Sequence, residues 1–178
     1  MPRKLTDQLA QLGLTPADIE FVSVSHSHTD HAGNLGLFAQ STWIADADER
    51  AHMFRPEARA DAQGFSGYAA MENVTPRLIE GDGDHDVFGD GSVTIIQAPG
   101  HTPGHTVLMV RLREAGPILL TGDLWHLAES RPTRRVPRFN TDRAQTLRSF
   151  DKVEALARET GARVMLEHVR SDFDAIPA

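Results

Sequence analysis

The sequence predicts a layered α/β domain. Short apolar runs of strand length alternate with stretches of helical periodicity, glycines punctuate a strand-rich middle, and one long amphipathic helix precedes the last apolar run. A chain of 178 residues can bury roughly 70% of its unfolded surface, enough for one self-sufficient core. No linker, repeat or low-complexity tract divides it, so a single domain over residues 1–178 is expected.

The elements follow in order. Leu5, Leu9 and Leu12 fall at helical spacing, with Gly13 as a stop. Thr15-Pro16-Ala17-Asp18 reads as an N-cap followed by proline at the first helical position. The apolar run Phe21-Val22-Ser23-Val24 predicts a buried strand over 21–25, and Thr42 to Ala45 a second one. Residues 46–62 read as a helix that Pro56 should kink or split. Strands are then expected at Arg77–Glu80, Ser92–Gln97, Thr106–Leu112 and Pro117–Thr121, joined through Gly81, Gly83, Gly89, Gly91, Gly100, Gly104 and Gly116. Thr141 to Thr160 predicts a helix of about five turns, with Leu147, Phe150, Val153, Leu156 and Ala157 on one buried face. Gly161 ends it, and Arg163–Leu166 forms a final strand with His168 just past its end.

Composition narrows the function classes. A net charge of −7, from 25 acidic and 18 basic residues, opposes nonspecific nucleic-acid binding. The absence of cysteine removes disulfides, zinc–thiolate sites and thiol catalysis. No run approaches the ~18 apolar residues of a membrane span. Residues 1–8, Met-Pro-Arg-Lys-Leu-Thr-Asp-Gln, lack the apolar segment of a signal peptide, so the cytoplasm is the expected compartment.

The chemistry is concentrated in His26-Ser27-His28-Thr29-Asp30-His31, which follows the first predicted strand. His26 and His28 differ by two, so in extended chain both rings lie on one side. Asp30 and His31 are adjacent and diverge, which lets one short loop face two neighbouring metals. Helical signals begin at Ala32, placing this loop at a strand-to-helix junction, where functional residues commonly sit. Three further metal-competent residues, His101, Asp123 and His168, follow at long intervals. Together the set offers enough nitrogen and oxygen donors for two divalent ions.

The motif resembles the signature of the metallo-β-lactamase-fold hydrolase superfamily. Pro99-Gly100-His101-Thr102-Pro103-Gly104-His105 is similar to the glycine-proline loop carrying that family's next ligand. Thr121-Gly122-Asp123 resembles the strand that ends in its bridging carboxylate, and His168 ends the last strand as the family's final ligand does. All four matches occur in family order. The resemblance implies an αββα sandwich in which His26, His28 and His101 hold one metal, Asp30, His31 and His168 hold the other, and Asp123 bridges. Imidazole and carboxylate donors suit Zn²⁺, and Mn²⁺, Fe²⁺ or Co²⁺ accept the same set. Two metals about 3.5–4 Å apart can share a hydroxide whose pKa is near 7, so the implied reaction is metal-assisted hydrolysis. Asp30 would steer the nucleophile or return a proton to the leaving group.

Asp123 argues against a β-lactamase, because those enzymes usually lack the bridging aspartate. The C-terminal third, Asn140-Thr141-Asp142-Arg143 through His168, resembles the branch containing N-acyl homoserine lactonases, and so implies opening of lactones or related esters. Those enzymes commonly place a tyrosine three residues after the bridging aspartate, where this chain has His126. Their usual Gly-His-Asp around the last ligand is here Glu167-His168-Val169. His126 therefore stands either as a catalytic substrate contact or packed beside Trp125. His105 reads as a hydrogen-bonding loop residue, and His52 and His85 as solvated. Leu124, Trp125, Leu127, Phe139 and Phe65 offer apolar material for pocket or core.

One departure lies at the front. Only 25 residues precede the first motif, and most read as helix, whereas the family places several strands there. The fold is accordingly expected to be N-terminally shortened. A sheet with an unpaired edge favours association, so a homodimer or higher oligomer is predicted. Two other functional readings stand beside the lactonase. One is a phosphoesterase or organophosphate triester hydrolase, which the cluster Arg131, Arg134, Arg135 and Arg138 would serve. The other is a truncated metal-binding remnant with little catalysis.

Overall fold

Two sheets organise the chain, which the computed structural model describes over residues 4–81 and 83–175. Backbone contacts divide it into two compact units, Met1–Leu78 and Ile79–Ala178. Each has its own apolar core.

The first unit opens with α1 (Leu5–Gln11), which Gly13 ends at a φ of 73°. A 3₁₀ turn, Pro16–Asp18, is closed by a capping box in which Thr15 and Asp18 exchange hydrogen bonds. Strand β1 is only Phe21–Val22, shorter than the 21–25 expected and half-buried. It pairs in parallel with β2 (Thr42–Asp46), Phe21 opposite Thr42 and Val22 opposite Trp43. The third strand, β3 (Arg77–Ile79), completes the order β1-β2-β3. The first motif does not remain a loop throughout. Thr29–Ala32 forms the single-turn helix α2, because the N–H groups of His31 and Ala32 both donate to the His28 carbonyl. After β2, Asp46 accepts from the N–H groups of Asp48 and Glu49 and so caps α3 (Ala47–Met53). Pro56 splits the helical stretch as its missing donor dictates, opening α4 (Pro56–Ala60), and Asp61 then caps α5 (Ala62–Ser66). Trp43, Met53, Phe54, Tyr68 and Met71 form the core, with Phe54 edge-on to Trp43, Phe65 and Tyr68.

The second unit contains a five-stranded sheet in sequential order: β4 (His85–Asp86), β5 (Val93–Gln97), β6 (Thr106–Leu112), β7 (Gly116–Leu120) and β8 (Arg163–Met165). The first three pairings are antiparallel and β7–β8 is parallel. A parallel pair needs a crossover. Here it contains α6 (Ser130–Thr133) and the long α7 (Arg143–Thr160), capped by the Asp142 carboxylate at its start and by Gly161 in the left-handed region at its end. The buried face of α7 carries Phe150, Val153 and Ala157, but also Thr146 and Ser149, whose hydroxyls bond backbone carbonyls. Phe150 packs on Trp125 with centroids 5.2 Å apart, inside a core of Ile96, Val107, Met109, Leu119 and Leu124. The final helix is α8 (Arg170–Asp174).

This topology sets where functional side chains emerge. Parallel β7 and β8 finish at the same sheet edge, and antiparallel β6 begins there, since Leu108 lies opposite Leu120. The turns at 98–105, 121–126 and 166–168 therefore meet at one edge.

Candidate metal centre

In the first unit, leaving β1 early frees Ser25 from the strand ladder. Its Oγ lies 3.1 Å from His26 Nδ1 and 3.2 Å from His31 Nδ1. His26 Nε2 faces His28 Nδ1 at 3.0 Å, so the two rings do share a side, as their spacing predicts. Between these two ring nitrogens there is room for one proton at most. With both deprotonated, two lone pairs converge, an arrangement that a divalent cation satisfies. His26 is fully buried. The loop is tied to α3 by Glu49, a carboxylate only 3% exposed whose Oε1 accepts from Ser27 N–H at 2.7 Å. Asp30 points outward, its Oδ2 3.7 Å from His31 Nε2.

In the second unit the centre is Asp123, in the turn after β7. Three imidazoles meet its carboxylate: His101 Nε2 at 3.2 Å and His126 Nδ1 at 3.3 Å from Oδ2, and His168 Nε2 at 2.9 Å from Oδ1. The ligand-capable atoms of Asp123, His126 and His168 lie within 4.8 Å of one another. Imidazole nitrogens and carboxylate oxygens converging on one nearly buried point form a donor set that fits a divalent metal.

The surrounding bonds explain the placement. Thr121 N–H and Oγ both donate to the Met165 carbonyl, locking the ends of β7 and β8 together. Gly122 N–H donates to Glu167 Oε1 at 3.0 Å. His105 is a structural clamp. Its Nδ1 donates to the Ala98 carbonyl at 3.0 Å, and its Nε2 accepts from Asp123 N–H at 3.1 Å, so both ring nitrogens are committed. Gly100 has a φ of 130°, and a Cβ there would overlap the backbone nitrogen of Thr146, so only glycine lets the His101 loop approach α7.

Several expectations change. His126 sits among the rings of the second cluster. Its ring lies 4.5 Å from that of His168 and 5.5 Å from Phe139. Leu124 and Trp125 are core, whereas Leu127 and Phe139 are more than half exposed, and Phe139 also stands edge-on to His101. His52 is only partly solvated. Burial first, then the Arg55 and His28 charges, push its pKa down to about 4. The Nε2 of His85 is likewise buried, on a strand whose backbone pairs it with Ile95. Half of the arginine cluster is internally neutralised, Arg131 by Glu154 and Arg134 by Asp151. Sequence patterns did not signal the roles of Glu49, Asn140 and Glu167, which depend on contacts distant in the chain, nor that of Ser25, whose contacts with His26 and His31 are local.

A family model for the metallo-beta-lactamase superfamily matches residues 2–160. The chain belongs to that superfamily. The N-acyl homoserine lactonase AttM of Azorhizobium caulinodans is 36% identical over 177 residues, covering 96% of this chain and 65% of the relative. An N-acyl homoserine lactonase from a Bacillus species is 31% identical over 127 residues, covering 71% of this chain and 47% of its own length. This superfamily member thus spans somewhat under two thirds of AttM. A solved N-acyl homoserine lactone hydrolase, with the product N-hexanoyl-L-homoserine bound at its catalytic metal centre, shares the fold at a TM-score of 0.81 and 24% identity. That match covers 98% of this chain and 66% of the solved one. Among the described residues no helix is long and apolar enough to cross a membrane.

Proposed function

We propose that this chain carries the metal-binding core of a hydrolase that opens N-acyl homoserine lactones or cleaves related esters. The observation that carries the reading is Asp123, 2% exposed, with imidazole nitrogens within 3.3 Å of both its oxygens. The lactonase relatives supply the substrate class. In this reading, as the family resemblance implies, His26, His28 and His101 would hold one divalent metal, Asp30, His31 and His168 would hold a second, and Asp123 would serve both. The order of the motifs and the reach of the family model across both units support treating the chain as one domain. A set of imidazoles and carboxylates without thiolate favours Zn²⁺. When bound, such ions bring the pKa of water toward neutrality and polarise the substrate carbonyl.

The chain's own groups complete the reaction. Asp30, with its carboxylate 58% exposed, accepts a proton from the attacking water and returns it to the ester oxygen that leaves as an alcohol. The acyl carbon keeps the new oxygen as a carboxylic acid, so one water is consumed per ring opened. His126, partly exposed with its Nδ1 3.3 Å from Asp123 Oδ2, offers its outer nitrogen to a substrate oxygen. Phe139 walls the site beside His101 and His126. Because β1 ends its sheet, pairing with a second copy belongs to the same reading, and light scattering at several concentrations tests it.

The decisive assay is hydrolysis of an N-acyl γ-lactone panel beside a phosphotriester. Lactone opening that chelation abolishes and added Zn²⁺ restores is the expected result. Preferential phosphotriester cleavage would reverse the substrate assignment. No turnover with either, metal supplied, would leave a metal-binding remnant.

A further inference from the structure

The segment just before α7 is bound to the His101 loop by a chain of hydrogen bonds whose direction can be read from proton bookkeeping. Thr146 Oγ lies 2.7 Å from the Asp142 carbonyl, which only accepts, so the hydroxyl spends its single proton there. Asn140 Nδ2 lies 3.1 Å from the same Oγ, which can now only accept. This fixes the Asn140 amide with its NH₂ toward Thr146 and its carbonyl toward His101. The opposite amide orientation would set two acceptors against each other. Asn140 Oδ1 is 3.0 Å from His101 Nδ1, and that ring nitrogen must therefore carry a hydrogen. When the ring is neutral its lone pair is then on Nε2, 3.2 Å from Asp123 Oδ2, two acceptors that a cation held between them satisfies. The His101 carbonyl is held as well, by Thr141 N–H and Oγ.

We propose that Asn140 is a positioning residue that locks His101 in its Nδ1–H tautomer and commits Nε2 to the metal. Ligand imidazoles depend on such a partner at the other nitrogen, and its loss costs about 10–100-fold in metal affinity. Thr146, fully buried on α7, acts one step further back by orienting the amide. The inference rests on the reading of His101 as a ligand, but its first test needs no metal.

The test uses metal-free protein labelled with ¹⁵N in histidine, with the His101 ring assigned by comparison with His101→Gln. Two-bond correlations at pH above 7.5 report which ring nitrogen carries the proton. Wild type should show a proton on His101 Nδ1, whether or not Nε2 also carries one toward Asp123. Asn140→Leu should show the mixture or the Nε2–H form, and should release Zn²⁺ to a competing chelator with a dissociation constant raised about 10–100-fold. Asn140→Asp keeps the acceptor and should keep the tautomer. Thr146→Val, nearly the same in shape, tests the relay even if Asn140→Leu fails to fold, and should loosen the tautomer partially. An Nδ1–H tautomer unchanged in both Asn140→Leu and Thr146→Val, or an Nε2–H tautomer in wild type, would overturn the proposal. A wild-type protein with the Nδ1–H tautomer but no Zn²⁺ affinity would instead sink the metal reading and leave the tautomer lock standing.

Discussion

The two units supply their metal-competent side chains in opposite ways. In the first, four donors lie within six residues, and a sheet of short strands does little more than launch them. Their arrangement is local: Ser25 touches two rings, and His26 meets His28 across one intervening residue. In the second, the donors come from three turns spread over residues 101 to 168, and only the strand order β6-β7-β8 brings those turns to one edge. A dense motif tolerates a modest scaffold; a dispersed one depends on the whole sheet and its crossover helix.

That contrast can be broken from either side. The largest effect belongs to Asp123, on which the second cluster converges. Asp123→Ala should lower lactone hydrolysis by more than about 100-fold, beyond what loss of an outer partner costs, and should lower bound metal in elemental analysis. Next is Gly100, where the dispersed cluster relies on backbone contact with α7. Gly100→Ala should cost about 2–5 kcal/mol, from strain at positive φ plus overpacking, read by urea denaturation. In the first unit the comparable support is one side chain. Glu49→Ala leaves the Ser27 N–H without its carboxylate and should cost about 1–3 kcal/mol by the same measurement. The smallest effect is acid sensitivity. His52 has a folded pKa of about 4 against 6.5 unfolded, so the unfolded chain takes up the proton first. Its contribution is fully present above pH 6.5 and lost as pH falls to about 4. His52→Gln should flatten the fall in melting temperature over that window.

The same contrast governs what the amino-acid sequence discloses. His26, His28, Asp30 and His31 stand out because their spacing is itself the chemistry. His101, Asp123 and His168 carry no such local signal, and only their resemblance to a known order of motifs singles them out. The long helix α7 and strands β5 to β7 were legible from periodicity to within a residue or two at most ends. The two-residue β4 and the single-turn α2 and α6 were not, and β1 ends three residues short of the expected 21–25, because such short elements take their form from neighbours and not from propensity. Glu49 and Asn140 look like ordinary surface polar residues in the sequence. Their partners, Ser27 and His101, lie 22 and 39 positions away.

The most direct measurement is metal content by elemental analysis of purified protein, wild type beside Asp123→Asn, after loading with Zn²⁺ and removal of the excess. Two zinc ions per wild-type chain, and fewer in the variant, are what a centre bridged by Asp123 predicts. Equal zinc in both proteins, or none in the wild type, would contradict it.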